Sequence, residues 1–119
     1  MSIPVPLPEL ADTMARFDSV PYLLTVGPDA TPHAASVNVE WDPLKAPDHG
    51  QRNLLVGAGR QTAANIRTNE ALALLWPPSS PGGYTLIVDG TGSIREEGPH
   101  LVVVIKPTSA VLHVTAKRP

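Results

Sequence analysis

The segment Gly57-Ala58-Gly59-Arg60-Gln61-Thr62 carries the residue types and spacing with the clearest chemical use. It follows the apolar run Leu54-Leu55-Val56 and precedes Ala63-Ala64-Asn65-Ile66, so it reads as a strand, a glycine turn and a helix that opens on a cation. The first N–H groups of a helix lack internal partners, and the helix dipole adds about half a positive charge there, which suits a phosphate. Gly57 and Gly59 are expected to turn the chain sharply through positive φ and to let the backbone come close to a ligand. A plain connector between strand and helix would use the same residues, and on local grounds both readings stay open.

The other reactive side chains form weaker constellations. His33, His49, His100 and His113 show no metal-ligand spacing, such as i and i+4 on a helix, and no metal site is expected. Ser36 and His33 sit on one strand with opposite facing, which keeps a nucleophile and its base apart, so no catalytic side chain is assigned. Trp76 closes the most apolar run and reads as a core aromatic rather than a ring stacked on a ligand.

These residues need a scaffold, and 119 residues suffice for one domain, 1–119, with a single core. A formal charge of -2 with interspersed signs offers no basic stripe to nucleic acid. The absence of cysteine excludes disulfides and thiolate chemistry and fits a reducing cytoplasm. The Pro-rich start has neither a basic region nor an uninterrupted apolar one, and no apolar run approaches the roughly 20 residues of a spanning helix. A soluble cytoplasmic protein without membrane contact is the expectation.

Leu10, Met14 and Phe17 predict a short amphipathic helix over 7–17, with Pro8 in its first turn. Strands are predicted over 21–26, 33–41, 54–56, 71–76, 84–94, 101–105 and 110–114, and a second helix over 61–68 that Asn69 ends. Residues 42–52 read as a loop and 95–100 as a turn. Along 33–41 the residues His33, Ala35, Val37, Val39 and Trp41 alternate with Ala34, Ser36, Asn38 and Glu40. The second set is either solvent-facing or the floor of a cofactor groove. Gly90 and Gly92 inside a strand predict a bulge or a close backbone approach, and Pro107 predicts a break. Many short strands with two short helices give a mainly β fold, a closed or half-closed antiparallel barrel.

The order of these pieces resembles the pyridoxamine 5'-phosphate oxidase-like family, the FMN-binding split barrel, over nearly the whole chain. Tyr22 to His33 is similar to that family's first hairpin with its "G-x-D-G-x-P-H" turn. Gly57 to Ile66 is similar to its "S-R-K-A-x-N-L" helix start, and Asn69 to Leu74 to its "D-P-R-V-A-L" strand. Val88 to Ile94 is similar to its "V-x-G-x-A-x-V" strand, and Ile105 to His113 to its closing strand. The resemblance implies a homodimer that holds FMN, or the deazaflavin coenzyme F-420, in a groove between two chains. It implies Ser36, Val37 and Asn38 beneath the cofactor ring, and Gly59, Arg60, Gln61, Thr62 and Asn65 around the phosphate. Thr62 stands where the family pattern has lysine and Arg60 where it has serine or threonine, a cation shifted by two residues. The function implied is a small flavin- or deazaflavin-dependent oxidoreductase acting on a small molecule, with the chemistry supplied by the cofactor. The alternatives are a non-catalytic module for a flavin, haem or other planar ligand, and a structural dimer whose groove has degenerated.

Overall fold

The computed structural model describes residues 2–45 and 51–116. In chain order the elements are β1 (Ser2–Pro4), a 3-10 turn (Leu7–Glu9), α1 (Leu10–Met14), β2 (Tyr22–Val26), β3 (Pro32–Ser36) and β4 (Val39–Lys45). They continue with β5 (Arg52–Ala58), α2 (Arg60–Thr68), β6 (Ala71–Trp76), β7 (Thr85–Glu97) and β8 (His100–His113). The strands form one antiparallel sheet in the order β3-β2-β6-β7-β8-β5-β4, to which β1 adds by pairing with β8.

Period-two alternation builds the core. Leu72, Leu74 and Trp76 of β6 point inward, as do Leu23 of β2, Leu54 and Val56 of β5, Leu86 and Val88 of β7, and Val103 and Ile105 of β8. Each such aliphatic side chain, once fully buried, stabilises the fold by about 1.5–3 kcal/mol. Ala63 and Ile66 turn the inner face of α2 onto this core, where the helix rests against β2 and β7. Gly92 leaves the room: a Cβ there would lie 2.6 Å from Leu72 Cδ2 and 3.1 Å from Val103 Cγ1. At the other end Leu10 of α1 is buried, with Met14 and Phe17 packed against the same cluster.

Four expectations are corrected. The helix predicted over 7–17 is a 3-10 turn followed by the five-residue α1, because the backbone stops repeating after Met14 and Ala15 caps it. The strand predicted over 33–41 is broken at Val37 and Asn38: β3 pairs with β2, β4 pairs with β5, and these lie at opposite ends of the sheet order. The burial alternation nevertheless runs unbroken from His33 to Trp41. The break predicted at Pro107 does not occur. Pairing with β5 ends at Ile105 and pairing with β1 begins at Val111, so Pro107 lies in the gap between two neighbours, where a missing donor leaves no partner unmet. On its other side the register slips between Asp89 and Gly90, and a Cβ at Gly90 would lie 2.6 Å from the Lys106 carbonyl oxygen, the close approach expected of a strand glycine. Finally, β4 and β5 extend into the predicted 42–52 loop as far as Lys45 and from Arg52, and β7 and β8 shorten the predicted 95–100 turn to Gly98 and Pro99. Ala46 to Gly50 lie outside the described residues, as does the expectation for His49.

Candidate functional site

β5 delivers the chain to the site. One residue past the Val39–Val56 pair stands Gly57, and two residues later Gly59 caps α2 with φ -81° and ψ 177°. No side chain caps this helix, so its first N–H groups remain available. The positive φ expected of Gly57 and Gly59 is absent: among the described residues only Ala30, Gly82 and Gly98 adopt it. Nor does packing require glycine at either position, since an added Cβ would meet nothing within 4 Å. What glycine does here is leave the backbone bare on an open surface.

The predicted phosphate residues divide. Gly59, Arg60 and Gln61 are exposed, and Arg60 is held by no ion pair or side-chain hydrogen bond among the described residues. Thr62 and Asn65 face inward and are 6% and 1% exposed. The Asn65 amide is fully engaged: Gln61 Nε2 donates to its Oδ1 at 2.8 Å, and its Nδ2 donates to Thr25 Oγ1 of β2 at 3.1 Å. Asn65 thus anchors α2 to the barrel, and a buried amide of this kind is tolerated because each of its groups has a partner.

The predicted ring residues lie close by. Ser36 and Asn38 are exposed and Val37 is half-buried, and with Val20 and Gly57 they line an open groove of about 310 Å³. Gly57 also opens on a groove of about 600 Å³ lined by Gly59, Arg60, His100 and Val102. The two grooves meet at Gly57, so the residues expected under a ring and those expected at a phosphate share one trough. His100 was not among the expected site residues. It reaches the trough because β8 pairs with β5 through Leu101 and Ala58, a contact no local pattern signals. Asn38 also lines a third groove, with Met14, Glu40, Trp41 and Trp76.

Titration contributes little to the site. Asp29, in the turn between β2 and β3, is held below the usual carboxylate range by hydrogen bonds to Thr31, whose N–H donates to its Oδ1 at 3.1 Å, and it lies outside the grooves. Among the described residues no group of His, Asp or Glu is placed to hold a metal ion, and no helix is long and apolar enough to cross a membrane.

No protein-family model matches the chain. Two curated proteins are 35% identical over 97 residues, covering 77% of this chain and 68% of their own length: the uncharacterized proteins Mb0449c of Mycobacterium bovis and MT0457 of Mycobacterium tuberculosis. Among solved structures, a provisionally assigned pyridoxamine 5'-phosphate oxidase from Listeria innocua superposes with a TM-score of 0.67 at 19% identity, over 89% of this chain and 96% of that one. A protein titled F420 reductase superposes with a TM-score of 0.61 at 21% identity, over 83% of this chain and 94% of the other.

Proposed function

We propose, for a chain that belongs to one family with these two mycobacterial proteins and has the pyridoxamine 5'-phosphate oxidase-like split-barrel fold, that it is a flavin- or deazaflavin-dependent oxidoreductase, FMN or coenzyme F-420 being the cofactor. The observation that carries this reading is the meeting of the two grooves at Gly57. A flat ring would lie along Ser36, Val37 and Asn38, and a phosphate would lie beyond Gly57 at the uncapped start of α2.

The residues present suit such a group. Bare backbone at Gly57 and Gly59 permits close approach, the first N–H groups of α2 donate, and Arg60 supplies a charge that no described residue neutralises. Gln61 and Asn65 hold the helix start in place from below, and Thr62 fills the interior position rather than the site. The bound cofactor would supply the electron transfer, while the protein supplies orientation and charge. The grooves are open on one chain, and a second copy would wall them, so the reading includes a homodimer with one domain, 1–119, in each chain.

Arg60→Ala tests the phosphate assignment. A charge-assisted hydrogen bond is worth about 1.5–3 kcal/mol, so FMN affinity should fall at least about tenfold while riboflavin, which lacks the phosphate, loses little. Calorimetric titration of both ligands reads the result, and equal losses would make Arg60 a structural residue. Light scattering reads the oligomer, and a monomer throughout the micromolar range would remove the shared groove.

A further inference from the structure

Two ladders place His100 in the trough. On one side β7 and β8 pair as far as Glu97 and His100, and the two-residue turn between them is held by Gly98, at φ 59°, and by the fixed φ of Pro99. On the other side β5 and β8 pair as far as Ala58 and Leu101, so the next step outward is Gly59 on one segment and His100 on the other. His100 therefore stands level with the residue that caps α2, and with Arg60 it lines the groove beyond Gly57. It shares its strand face with Val102, the residue paired with Gly57.

Charge defines what this end of the trough can hold. Arg60 and His100 are the ionisable side chains of its lining, and among the described residues no carboxylate joins them. Both are exposed, and neither is held by an ion pair or a side-chain hydrogen bond among the described residues. On β7, Glu97 lies beside His100 in the ladder, but its Oε2 accepts from Arg95 Nη2 at 2.6 Å and Nε at 2.9 Å, so those two charges offset each other. Glu96 alternates to the opposite face of β7. A protonated His100 thus shares the groove with Arg60 without a counter-charge from its lining, and an anion between them relieves the repulsion. Binding of that anion and protonation of the imidazole then promote each other.

We infer that His100 is a second ligand for the anionic end of the bound cofactor, and that its protonation sets how tightly that end is held. The inference rests on the flavin or deazaflavin reading of the trough and adds a proton to it. An imidazole changes charge between about pH 5 and 8, so the phosphate meets two cations in mild acid and Arg60 alone in mild base. The phosphate of FMN gains charge on the opposite course, with its second ionisation at about pH 6, so the ratio of variant to parent at each pH carries the test rather than either curve alone.

The full chain is titrated with FMN and with riboflavin at about pH 6 and about pH 8.5, and coenzyme F-420 with its phosphate-free deazaflavin replaces them where FMN does not saturate. His100→Gln keeps a hydrogen-bonding amide and loses the titratable charge. It should weaken FMN about three- to fivefold at the lower pH, as one exposed charge pair does, and by less than about 1.5-fold at the higher. Riboflavin should not distinguish variant from parent at either pH. His100→Lys, a cation throughout, should hold FMN at both pH values as the parent does in acid. In NMR spectra the His100 ring resonance, assigned by its loss in His100→Gln, should titrate at higher pH once FMN is bound. His100 is exposed, so both variants should fold as the parent does, and their melting temperatures check this. An equal loss at both pH values, or a matching loss for riboflavin, would make His100 a structural residue of the hairpin, and an unchanged FMN affinity or an unmoved ring titration would remove it from the site. Each of those outcomes leaves the Arg60→Ala comparison standing, whereas failure of both FMN and coenzyme F-420 to saturate the parent removes the flavin reading and this one together.

Discussion

Gly90 and Gly92 on β7 and Gly57 and Gly59 beside α2 are the same residue type kept for opposite reasons. At Gly90 a Cβ would lie 2.6 Å from a carbonyl oxygen of β8, and at Gly92 it would press into Leu72 and Val103, so the fold itself demands the missing side chain. At Gly57 and Gly59 nothing stands within 4 Å and φ is not positive, so the fold demands nothing. A glycine that no contact explains, next to an uncapped helix and an arginine without a side-chain partner among the described residues, is where the proposed phosphate would meet bare backbone. The contrast separates stability from binding on one residue type.

The largest effect should come from Gly90→Ala. The obstacle is backbone, which cannot rotate away, so the β7–β8 bulge must open, at a cost of about 3 kcal/mol in urea denaturation. Gly92→Ala should cost somewhat less, about 1–3 kcal/mol, because Leu72 and Val103 can partly repack. A melting curve unchanged in either variant would break the comparison from the structural side. Gly57→Ala should move the other way: the folded chain gains about 0.4–1 kcal/mol, because alanine restricts the unfolded chain at no cost in contacts, while FMN binding weakens. Unfolding and FMN titration of this one variant decide it, and loss of stability without loss of binding would return Gly57 to the plain connector.

Gly27→Ala should give the smallest effect and a pH signature. Its Cβ would meet Asp29 Oδ1 at 3.2 Å, the end of a movable side chain, and would push the carboxylate off Thr31. The folded Asp29 ionises at lower pH than the unfolded one, so its contribution is present above the ordinary carboxylate range and is lost as pH falls through the depressed value. Melting temperatures of parent and variant should therefore differ near neutrality and converge in acid. A gap that persists in acid would trace the effect to the turn backbone instead.

What was legible in the residues follows the range of the forces concerned. β6 occupies 71–76 as its short, continuous apolar run predicts, and α2 begins one residue before its predicted start, because apolar runs and helix-start signals act over a few residues. β1 was not foreseen: three residues ending in Pro4 carry no strand pattern, and they pair only because β8 lies alongside. Pro107 misleads for the same reason, since the local rule holds only where a neighbour needs the N–H. At the site, the motif order pointed to both ends of the trough, but that Thr62 and Asn65 turn inward depends on which face of α2 meets β2, and His100 depends on the pairing of β5 with β8.

That pairing has a consequence for how the chain is made. β8 is the strand that joins β3-β2-β6-β7 to β5-β4, and it follows all of them in chain order. Without it, β3-β2-β6-β7 and β5-β4 would each carry an unpaired inner edge, the kind of surface on which nascent chains stick to one another. The long β7–β8 hairpin closes locally around Gly98 and Pro99, whereas β1 meets β8 across 111 positions of chain, the closure with the larger entropic cost. A chain cut between β7 and β8 would keep two half-sheets, each with a bare inner edge, and not a smaller barrel.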